Sequence, residues 1–163
     1  MSDQITPDEL RAAMRHWATG VALVTVGDQR NAHGMTVNSL TSISLEPALI
    51  LVSLERTART HRMALENGRF AVAILRADQK ELSDIFAGRT ADDKNRFAGV
   101  AIELSASGIP VPEGSLAVLD CAVERTIEAG THTVFIARVE NTQVSDGGLP
   151  LLYFDRNYRK LAE

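Results

Sequence analysis

A stretch of neutral polar side chains occupies residues 33 to 47, which read HGMTVNSLTSISLEP. It lies between segments that alternate like β-strands, yet residues 31 to 45 contain no Asp, Glu, Lys or Arg. Hydroxyl and amide groups can satisfy the polar edge of a large flat heterocycle without placing a formal charge beside its π-system. Ser and Thr also form ordinary strands and turns that face water, and the pattern alone leaves both interpretations open.

The spacing within this stretch predicts two faces. If the segment is extended without a bulge, alternate side chains point in opposite directions. Asn38 suits a ligand well, because its amide offers both a donor and an acceptor. One face would carry Thr36, Asn38, Ser42 and Ser44, and the other would carry Ser39 and Thr41.

A second feature is the basic segment SLERTARTHRM, residues 53 to 63. Arg56, Arg59 and Arg62 stand where a helix is predicted to begin. A helix N-terminus favours a phosphate because it offers free N–H groups and a partial positive charge, and Arg adds a fork of donors. An ordinary basic helix start exposed to solvent is the alternative.

These two features lie about one strand apart, separated by the apolar run ALILVSL at residues 48 to 54. A ligand with a polar heterocycle at one end and a phosphate at the other could use both of them. A flavin nucleotide fits that description.

The first of three predicted helices covers residues 7 to 17. Thr6 is a candidate N-cap, Pro7 suits the first helical position, and Glu9 completes a capping box. Apolar residues at helical spacing predict that one face packs on the body of the protein. That face carries Leu10, Met14 and Trp17.

The second helix is predicted over residues 57 to 67, with Thr57 as its N-cap and Gly68 at its end. The third is predicted over residues 78 to 88, which also end in a glycine. Residues 92 to 97 are predicted to form a short helix or turn.

Strand-like runs fill the rest of the chain. The run at residues 48 to 54 is nearly all apolar, so it is predicted to be buried on both faces, and two long strands are predicted around a turn at Ala129-Gly130. Six or seven strands that do not alternate with helices predict an antiparallel barrel with peripheral helices, in an α+β arrangement. The other predicted strands are residues 20 to 27, 69 to 75 and 150 to 154.

The composition restricts the classes of protein. A length of 163 residues suits a single domain, spanning residues 1 to 163, and 45% hydrophobic and 23% charged residues are typical of globular proteins. A net charge of −4 with interspersed signs argues against a nucleic-acid or anionic-membrane surface. No apolar run approaches the length of a membrane span, and the polar N-terminus is not a signal peptide. A cytoplasmic protein is therefore expected.

The sequence predicts neither an internal disulfide nor a metal site. Cys121 is the only cysteine, which excludes an internal disulfide, and its place in an alternating apolar run predicts burial. The four histidines are scattered without ligand spacing, so no metal site is expected. No G-x-G-x-x-G motif opens a helix.

Several stretches, in their order and spacing, resemble the flavin reductase-like proteins with an FMN-binding split barrel. The likeness is greatest to the short reductase components of two-component flavin-dependent monooxygenases, and it runs from about residue 11 to residue 161. The stretches are residues 18 to 25, 33 to 47, 50 to 61, 93 to 97, 130 to 140 and 150 to 161.

The resemblance implies an antiparallel Greek-key split β-barrel and NAD(P)H-dependent reduction of FMN or FAD. Hydride would pass to the flavin N5, and reduced flavin would be released to a partner oxygenase. Backbone N–H groups of residues 36 to 42 would stabilise charge at the flavin N1–C2 edge. Family members are typically homodimers with flavin sites near the subunit interface.

The resemblance also implies roles for particular residues. His132 would position the nicotinamide, although Thr131 stands where the family often has an acid. The isoalloxazine would lie against Thr36, Val37, Asn38 and Ser39, with Thr41 and Ser42 at its edge or at the ribityl chain and Ser53 and Leu54 as a wall beneath it. The phosphate would be held by Arg59, Thr60 and His61, the distal part of the flavin by Lys94 and Phe97, and a nearby nucleotide by Tyr153, Tyr158 and Arg159.

Other functions stay open at this point. A flavin- or haem-binding carrier would share the barrel without oxidising NADH, and an interaction module would have no flavin affinity. An oxidase of the pyridoxamine-phosphate type would need a second phosphate site, and a reductase of a non-flavin substrate through tightly held FMN would turn over without added flavin. The preference between FMN and FAD, and between NADH and NADPH, is not decided by the sequence.

Overall fold

The fold is given by a computed structural model, which describes residues 4–88 and 95–161. The helices are α1 (Pro7–Met14), α2 (Arg59–Asn67) and α3 (Lys80–Phe86). The strands are β1 (Thr19–Gly20), β2 (Ala22–Val26), β3 (His33–Val37), β4 (Thr41–Leu45), β5 (Ala48–Glu55), β6 (Arg69–Ile74), β7 (Ile102–Leu104), β8 (Pro110–Pro112), β9 (Ala117–Ala129), β10 (His132–Val144), β11 (Leu152–Phe154) and β12 (Asn157–Arg159).

Seven strands form one antiparallel sheet in the order β3-β2-β6-β9-β10-β5-β4. The edge strands β3 and β4 follow one another in the chain, and β3 also contacts β5. The sheet therefore curls until its two edges meet, although no ladder joins them along their length. The predicted antiparallel Greek-key split barrel with peripheral helices is confirmed.

One serine hydroxyl joins the connection between the two edge strands to β5. Ser39 donates a hydrogen bond to the carbonyl oxygen of Ser53 and accepts one from the Ser53 N–H, both at 3.0 Å. β4 pairs with β5 only up to the Thr41–Leu51 position. The Ser39 side chain thus takes the next pairing position on β5, at the point where residues 38–40 leave strand geometry.

Two hydrophobic cores lie on opposite faces of β2 and β6, so both strands are buried on both sides. The barrel core contains Val24, Val52, Phe70, Val72 and Phe135. The second core, against α3 and β8, contains Leu23, Ala71, Phe86, Val111 and Leu151.

The first helix has its predicted cap but not its predicted packing. Thr6 accepts a hydrogen bond from the Glu9 N–H, and the Glu9 carboxylate accepts one from the Thr6 N–H, which confirms the capping box. The helix ends at Met14 rather than at residue 17, and it has no buried residue. The predicted packing face is therefore wrong: 67% of Trp17 is exposed, because helical spacing identifies an apolar stripe but not the surface that covers it.

The polar stretch and the strand after it also differ from their predictions. Residues 38–40 separate β3 from β4, and a register shift lies between Ser42 and Ser44. The two-face prediction assumed one unbroken strand and is therefore wrong. β5 is buried on one face only, because the half-buried Leu51 and Ser53 alternate with fully buried neighbours.

Other local predictions agree with the structure. β9 and β10 form the predicted long hairpin around Gly130, and Gly68 ends α2 in the left-handed conformation. Cys121 is buried, as predicted, and burial together with the neighbouring Asp120 raises the pKa of its thiol to about 12. The sequence did not predict β12, which pairs with β11 to form a hairpin near the C-terminus.

We expect Ser39→Ala to lower the free energy of unfolding by about 1–3 kcal/mol, because both backbone groups of Ser53 would lose their partner. Urea unfolding followed by circular dichroism measures the change. Ser42→Ala is the matched control, since Ser42 is an exposed serine on the neighbouring strand. Equal stability of the two variants would remove Ser39 from the closure of the barrel.

Candidate functional site

A cleft opens at the start of α2, and we call it the anion cleft. Its volume is about 550 Å³. Ala58, not the predicted Thr57, is the N-cap residue, and its methyl side chain makes no capping hydrogen bond. The first amide groups of α2 therefore have no side-chain cap within the described residues, and the helix end offers N–H donors and a partial positive charge. The lining includes His33, Thr36, Ala58, Arg59, Thr60 and Arg96.

Arg96 is a further cation in this cleft. Its Nη1 donates to the carbonyl oxygens of Gly34 at 3.0 Å and of Phe86 at 2.9 Å. Its Nε is buried without a hydrogen-bond partner among the described residues. An unpaired buried donor is rare in proteins, and Arg96, which carries it, is one of the residues that line the anion cleft.

Two buried side chains form the floor of the cleft. The Nδ1 of His33 and the Oγ1 of Thr60 are 2.8 Å apart and hydrogen-bonded. Gly34, next to His33, packs against Phe86 so closely that a Cβ would lie 3.0 Å from the ring. The polar stretch and the basic segment, which the sequence could only place one strand apart, are thus in contact.

A second cleft, which we call the central cleft, adjoins the anion cleft. Its volume is about 170 Å³, and the two clefts share Thr36 and Ala87. The Thr36 hydroxyl donates to the Ser83 carbonyl oxygen at 2.6 Å, which fixes β3 against α3. The lining includes Val37, Asn38, Ser83, Tyr153 and Tyr158.

A third cleft lies on the other side of Asn38. Its volume is about 330 Å³, and Asn38, Leu40, Thr41 and Trp17 help to line it. The Asn38 side chain is exposed and makes no hydrogen bond within the residues that the structure describes, so its amide is available to a ligand on either side. Three adjoining clefts therefore follow residues 33–41, cationic at one end and neutral along the rest.

Several predicted site residues have their side chains engaged in the protein itself. Ser39 bonds to the backbone of Ser53, and Leu54 is fully buried in the barrel core. Leu54 can therefore contribute only its backbone, not its side chain, to a wall beneath a ring. The Nε2 of His61 is 2.8 Å from the Thr133 hydroxyl, on the side of α2 that faces Phe135.

The remaining predicted residues do not share one location. Ser42 is exposed on β4, and Phe97 packs edge-on against Phe86 with ring centroids 4.9 Å apart. Tyr158 contributes to the central cleft, whereas Arg159 lies in a separate cleft beside it. Lys94 lies outside the described residues.

The predicted nicotinamide residue His132 is exposed at the tip of the β9–β10 hairpin. Its Nδ1 is 2.9 Å from the Thr131 hydroxyl, the residue that stands in place of the family's acid. The Arg56 N–H donates to the Thr131 carbonyl oxygen at 3.0 Å, and His132 pairs with Glu55, which lines the anion cleft. The hairpin tip is thus held next to the site.

Two residues of the site, His33 and Arg96, were not predicted as ligand contacts. Both lie inside stretches that carried the family resemblance, at residues 33 to 47 and 93 to 97. That position was the only signal in the sequence for either of them. Their role follows from burial and contacts that residue spacing does not reveal.

The described residues contain neither a candidate metal site nor a membrane-spanning helix. No group of His, Cys, Asp or Glu among them could hold a metal ion. None of their helices has the length and apolar character to cross a membrane.

The donors of the clefts fit a flavin nucleotide. The uncapped start of α2 and the guanidinium groups of Arg59 and Arg96 suit a phosphate. The central cleft offers neutral groups and aromatic rings, which suit a flat heterocycle. The phosphate end of such a ligand thus suits the anion cleft, and its ring suits the adjoining central cleft.

Comparison with known proteins gives a consistent result. A family model described as "Flavin reductase like domain" matches residues 14–162. The chain is 36% identical over 165 residues to an NADH-dependent flavin reductase of a Rhodococcus species, covering 99% of this chain and 90% of that protein. It is 39% identical over 153 residues to a protein named actinorhodin polyketide dimerase from Streptomyces coelicolor, covering 93% and 85%.

Solved structures show the same fold. The styrene monooxygenase flavin reductase of Pseudomonas putida S12 superposes with a TM-score of 0.84 at 37% identity, over 94% of this chain and 97% of that one. The NADH:FAD oxidoreductase SgcE6 of Streptomyces globisporus, in complex with NAD and FAD fragments, gives a TM-score of 0.88 at 32% identity, over 99% and 98%.

We predict that His61 makes stability depend on pH. Burial, followed by repulsion from Arg56, lowers the pKa of His61 below its ordinary value of 6.5, while Glu128 opposes the shift. The folded state then binds fewer protons than the unfolded state. The contribution of neutral His61 is present above the unfolded pKa and is lost as pH falls below it.

Urea unfolding of the wild type and of His61→Gln at about pH 7.5 and about pH 5.5 measures this effect. We expect the free energy of unfolding to fall less on acidification in His61→Gln, which cannot titrate. Identical pH dependence in the two proteins would show that His61 does not respond to pH in this range.

Proposed function

This chain belongs to the family of flavin reductase like domains, and on that premise we propose that it reduces FMN or FAD with NADH or NADPH. One observation carries the proposal: a cationic cleft adjoins a neutral, aromatic-lined cleft along residues 33–41. The names of the Rhodococcus and Streptomyces globisporus relatives support NADH as the donor.

A bound flavin would supply the hydride chemistry itself, so the chain has only to bind and orient. The N–H groups at the start of α2, with Arg59 and Arg96, hold the phosphate end. Asn38 offers a donor and an acceptor to the polar edge of the ring, and Val37 and Tyr158 bound the central cleft. No side chain is needed as an essential acid or base.

We also propose that His132 positions the nicotinamide. The hairpin tip that carries it is held beside the anion cleft through Thr131 and Glu55. The Thr131 hydroxyl can orient the imidazole without a negative charge. Thr131 would thereby replace the acid that the family often has at this position.

A homodimer is proposed from the exposed apolar surface. Leu10, Met14 and Trp17 form one apolar stripe from α1 onward, and each is more than half exposed. Exposed apolar surface of this kind marks an interface. Sedimentation at several concentrations measures the association, and a monomer at all of them would exclude it.

Release of reduced flavin to a partner oxygenase completes the proposal. A styrene monooxygenase flavin reductase shares the fold at 37% identity, which supports a reductase component of such a system. The protein would act in the cytoplasm, where nicotinamide nucleotides are available.

We expect the purified protein to oxidise NADH only when flavin is added, in steady-state assays with FMN, FAD and riboflavin. This separates a reductase from a carrier, which binds flavin without oxidising NADH. The same assay distinguishes the proposed reductase from one with tightly held FMN, which would oxidise NADH without added flavin. Flavin binding without NADH or NADPH oxidation would exclude the proposed activity.

Ala58→Asp tests the anion cleft, because it should act in opposite directions on stability and on binding. Residue 58 has the extended backbone of an N-cap, so Asp would cap α2 and raise the free energy of unfolding by about 1 kcal/mol. Its carboxylate would repel a phosphate, so we expect FMN binding to weaken about tenfold or more while riboflavin binding is unchanged.

Ala58→Ser is the matched control, since serine caps the helix without adding charge. Fluorescence titration with FMN and riboflavin measures affinity, and urea unfolding measures stability. If Ala58→Asp binds FMN as the wild type does, the phosphate does not lie at the start of α2.

A further inference from the structure

Two buried hydrogen bonds of the same kind attach the start of α2 to two different strands. Thr60 bonds to His33 of β3, and His61 bonds to Thr133 of β10, each at 2.8 Å. At most 7% of any of these four residues is exposed. Adjacent residues of a helix point about 100° apart, so Thr60 and His61 can reach separate strands. The start of the helix is therefore fixed to both β3 and β10.

The side chain of His61 packs against the barrel core. Its ring lies edge-on to Phe135, with ring centroids 5.5 Å apart and an interplanar angle of 82°. The described residues that line the anion cleft include Arg59 and Thr60 but not His61. This position suits a support between α2 and the barrel better than the phosphate contact that the resemblance implies.

Thr133 lies at the base of the hairpin tip. It is buried, whereas the preceding His132 and residues 124–129 of the paired strand are exposed. Thr133 pairs with Leu54 of β5 on one side and with Glu128 of β9 on the other. Neighbouring residues of a strand point to opposite faces, so a bond that fixes Thr133 also fixes the direction in which His132 points.

The other contacts that hold the hairpin tip come from Arg56, which precedes α2. Its side chain forms an ion pair with Glu128 at 3.4 Å, and 48% and 74% of the two side chains are exposed, so this pair contributes little stability. Its N–H donates to the Thr131 carbonyl oxygen. The bond between His61 and Thr133 is by contrast buried, and it joins α2 itself to the hairpin.

We propose that His61 is a positioning residue, which through Thr133 holds the hairpin tip and its His132 in place relative to the start of α2. This inference rests on the proposed function, in which the start of α2 holds the flavin phosphate and His132 positions the nicotinamide. Hydride transfer requires the nicotinamide to lie on the flavin at near-contact distance. A displaced hairpin tip would therefore weaken nicotinamide binding while the flavin stays in place.

The test removes the hydroxyl of Thr133 and keeps its branched shape. In Thr133→Val we expect the affinity of the FMN-loaded protein for NAD⁺ to fall about fivefold or more, because His132 loses its fixed position. The binding of FMN, and that of ADP-ribose, which lacks the nicotinamide ring, should be unchanged. Calorimetry measures all three affinities, and no turnover occurs because FMN and NAD⁺ are both oxidised.

Two control variants accompany Thr133→Val. Thr133→Ser keeps the hydroxyl and should bind NAD⁺ as the wild type does. Ser105→Ala controls for a general loss of stability, because it also removes a buried hydroxyl hydrogen bond, at 2.7 Å to Asp120. Ser105 lines none of the three clefts, so its variant should leave NAD⁺ binding unchanged.

The double variant Thr133→Val, His132→Ala tests whether the bond acts through His132. His132→Ala alone should weaken NAD⁺ binding, and the addition of Thr133→Val should weaken it no further. Additive losses would show that Thr133 does not act through His132 and would overturn the inference.

Unchanged NAD⁺ binding in Thr133→Val, an equal loss for NAD⁺ and ADP-ribose, or a wild type that binds no NAD⁺ would also overturn it. So would weaker binding of FMN but not of riboflavin in His61→Gln, which would make His61 a phosphate contact. Because these titrations need no turnover, they decide the inference even if the protein oxidises no NADH, a result that would exclude only the proposed activity.

Discussion

Closure of the barrel across residues 38–40 is the constraint on which the site depends. The chain must pass from one edge of the sheet to the other, and it does so in a segment too short to form a ladder. The Ser39 hydroxyl supplies the missing pairing to Ser53. Because Ser39 is used inside the protein, the neighbouring Asn38 is left facing two clefts. Adjacent residues of the neutral polar stretch therefore differ in use: Ser39 bonds within the barrel, whereas Asn38 is exposed to the clefts.

Two features without a side-chain partner among the described residues belong to residues of the anion cleft. α1 has a complete capping box, whereas α2 begins at Ala58 with no side-chain cap. The buried Nε of Arg96 lacks a partner among the described residues and lies in the same cleft. The buried Nε costs stability because it has no partner, whereas the N–H groups at the start of α2 can bond to water or to a ligand. An anion at the start of α2 would supply the cap that its own side chains do not provide.

Features that depend on neighbouring residues could be predicted from the sequence. Features that depend on contacts between residues far apart in the chain could not. The Thr6 capping box and the Gly68 stop are local, and both are confirmed. Thr57 was a reasonable N-cap, yet the helix begins two residues later, and the exposed stripe of α1 shows that spacing does not identify the covering surface. The meeting of His33 with Thr60 joins residues 27 apart and depends on the barrel itself.

For the binding of a phosphate, the positions of the charged residues matter more than the net charge of the chain. The chain carries a net charge of −4, which alone would discourage phosphate-bearing ligands. The cations of the anion cleft lie beside a central cleft that is lined by neutral residues. A charge beside the ring would favour one redox state of a flavin, whereas charges in the adjoining cleft suit a phosphate and would act less on the ring. Such an arrangement would not strongly favour one redox state of a bound flavin over the other.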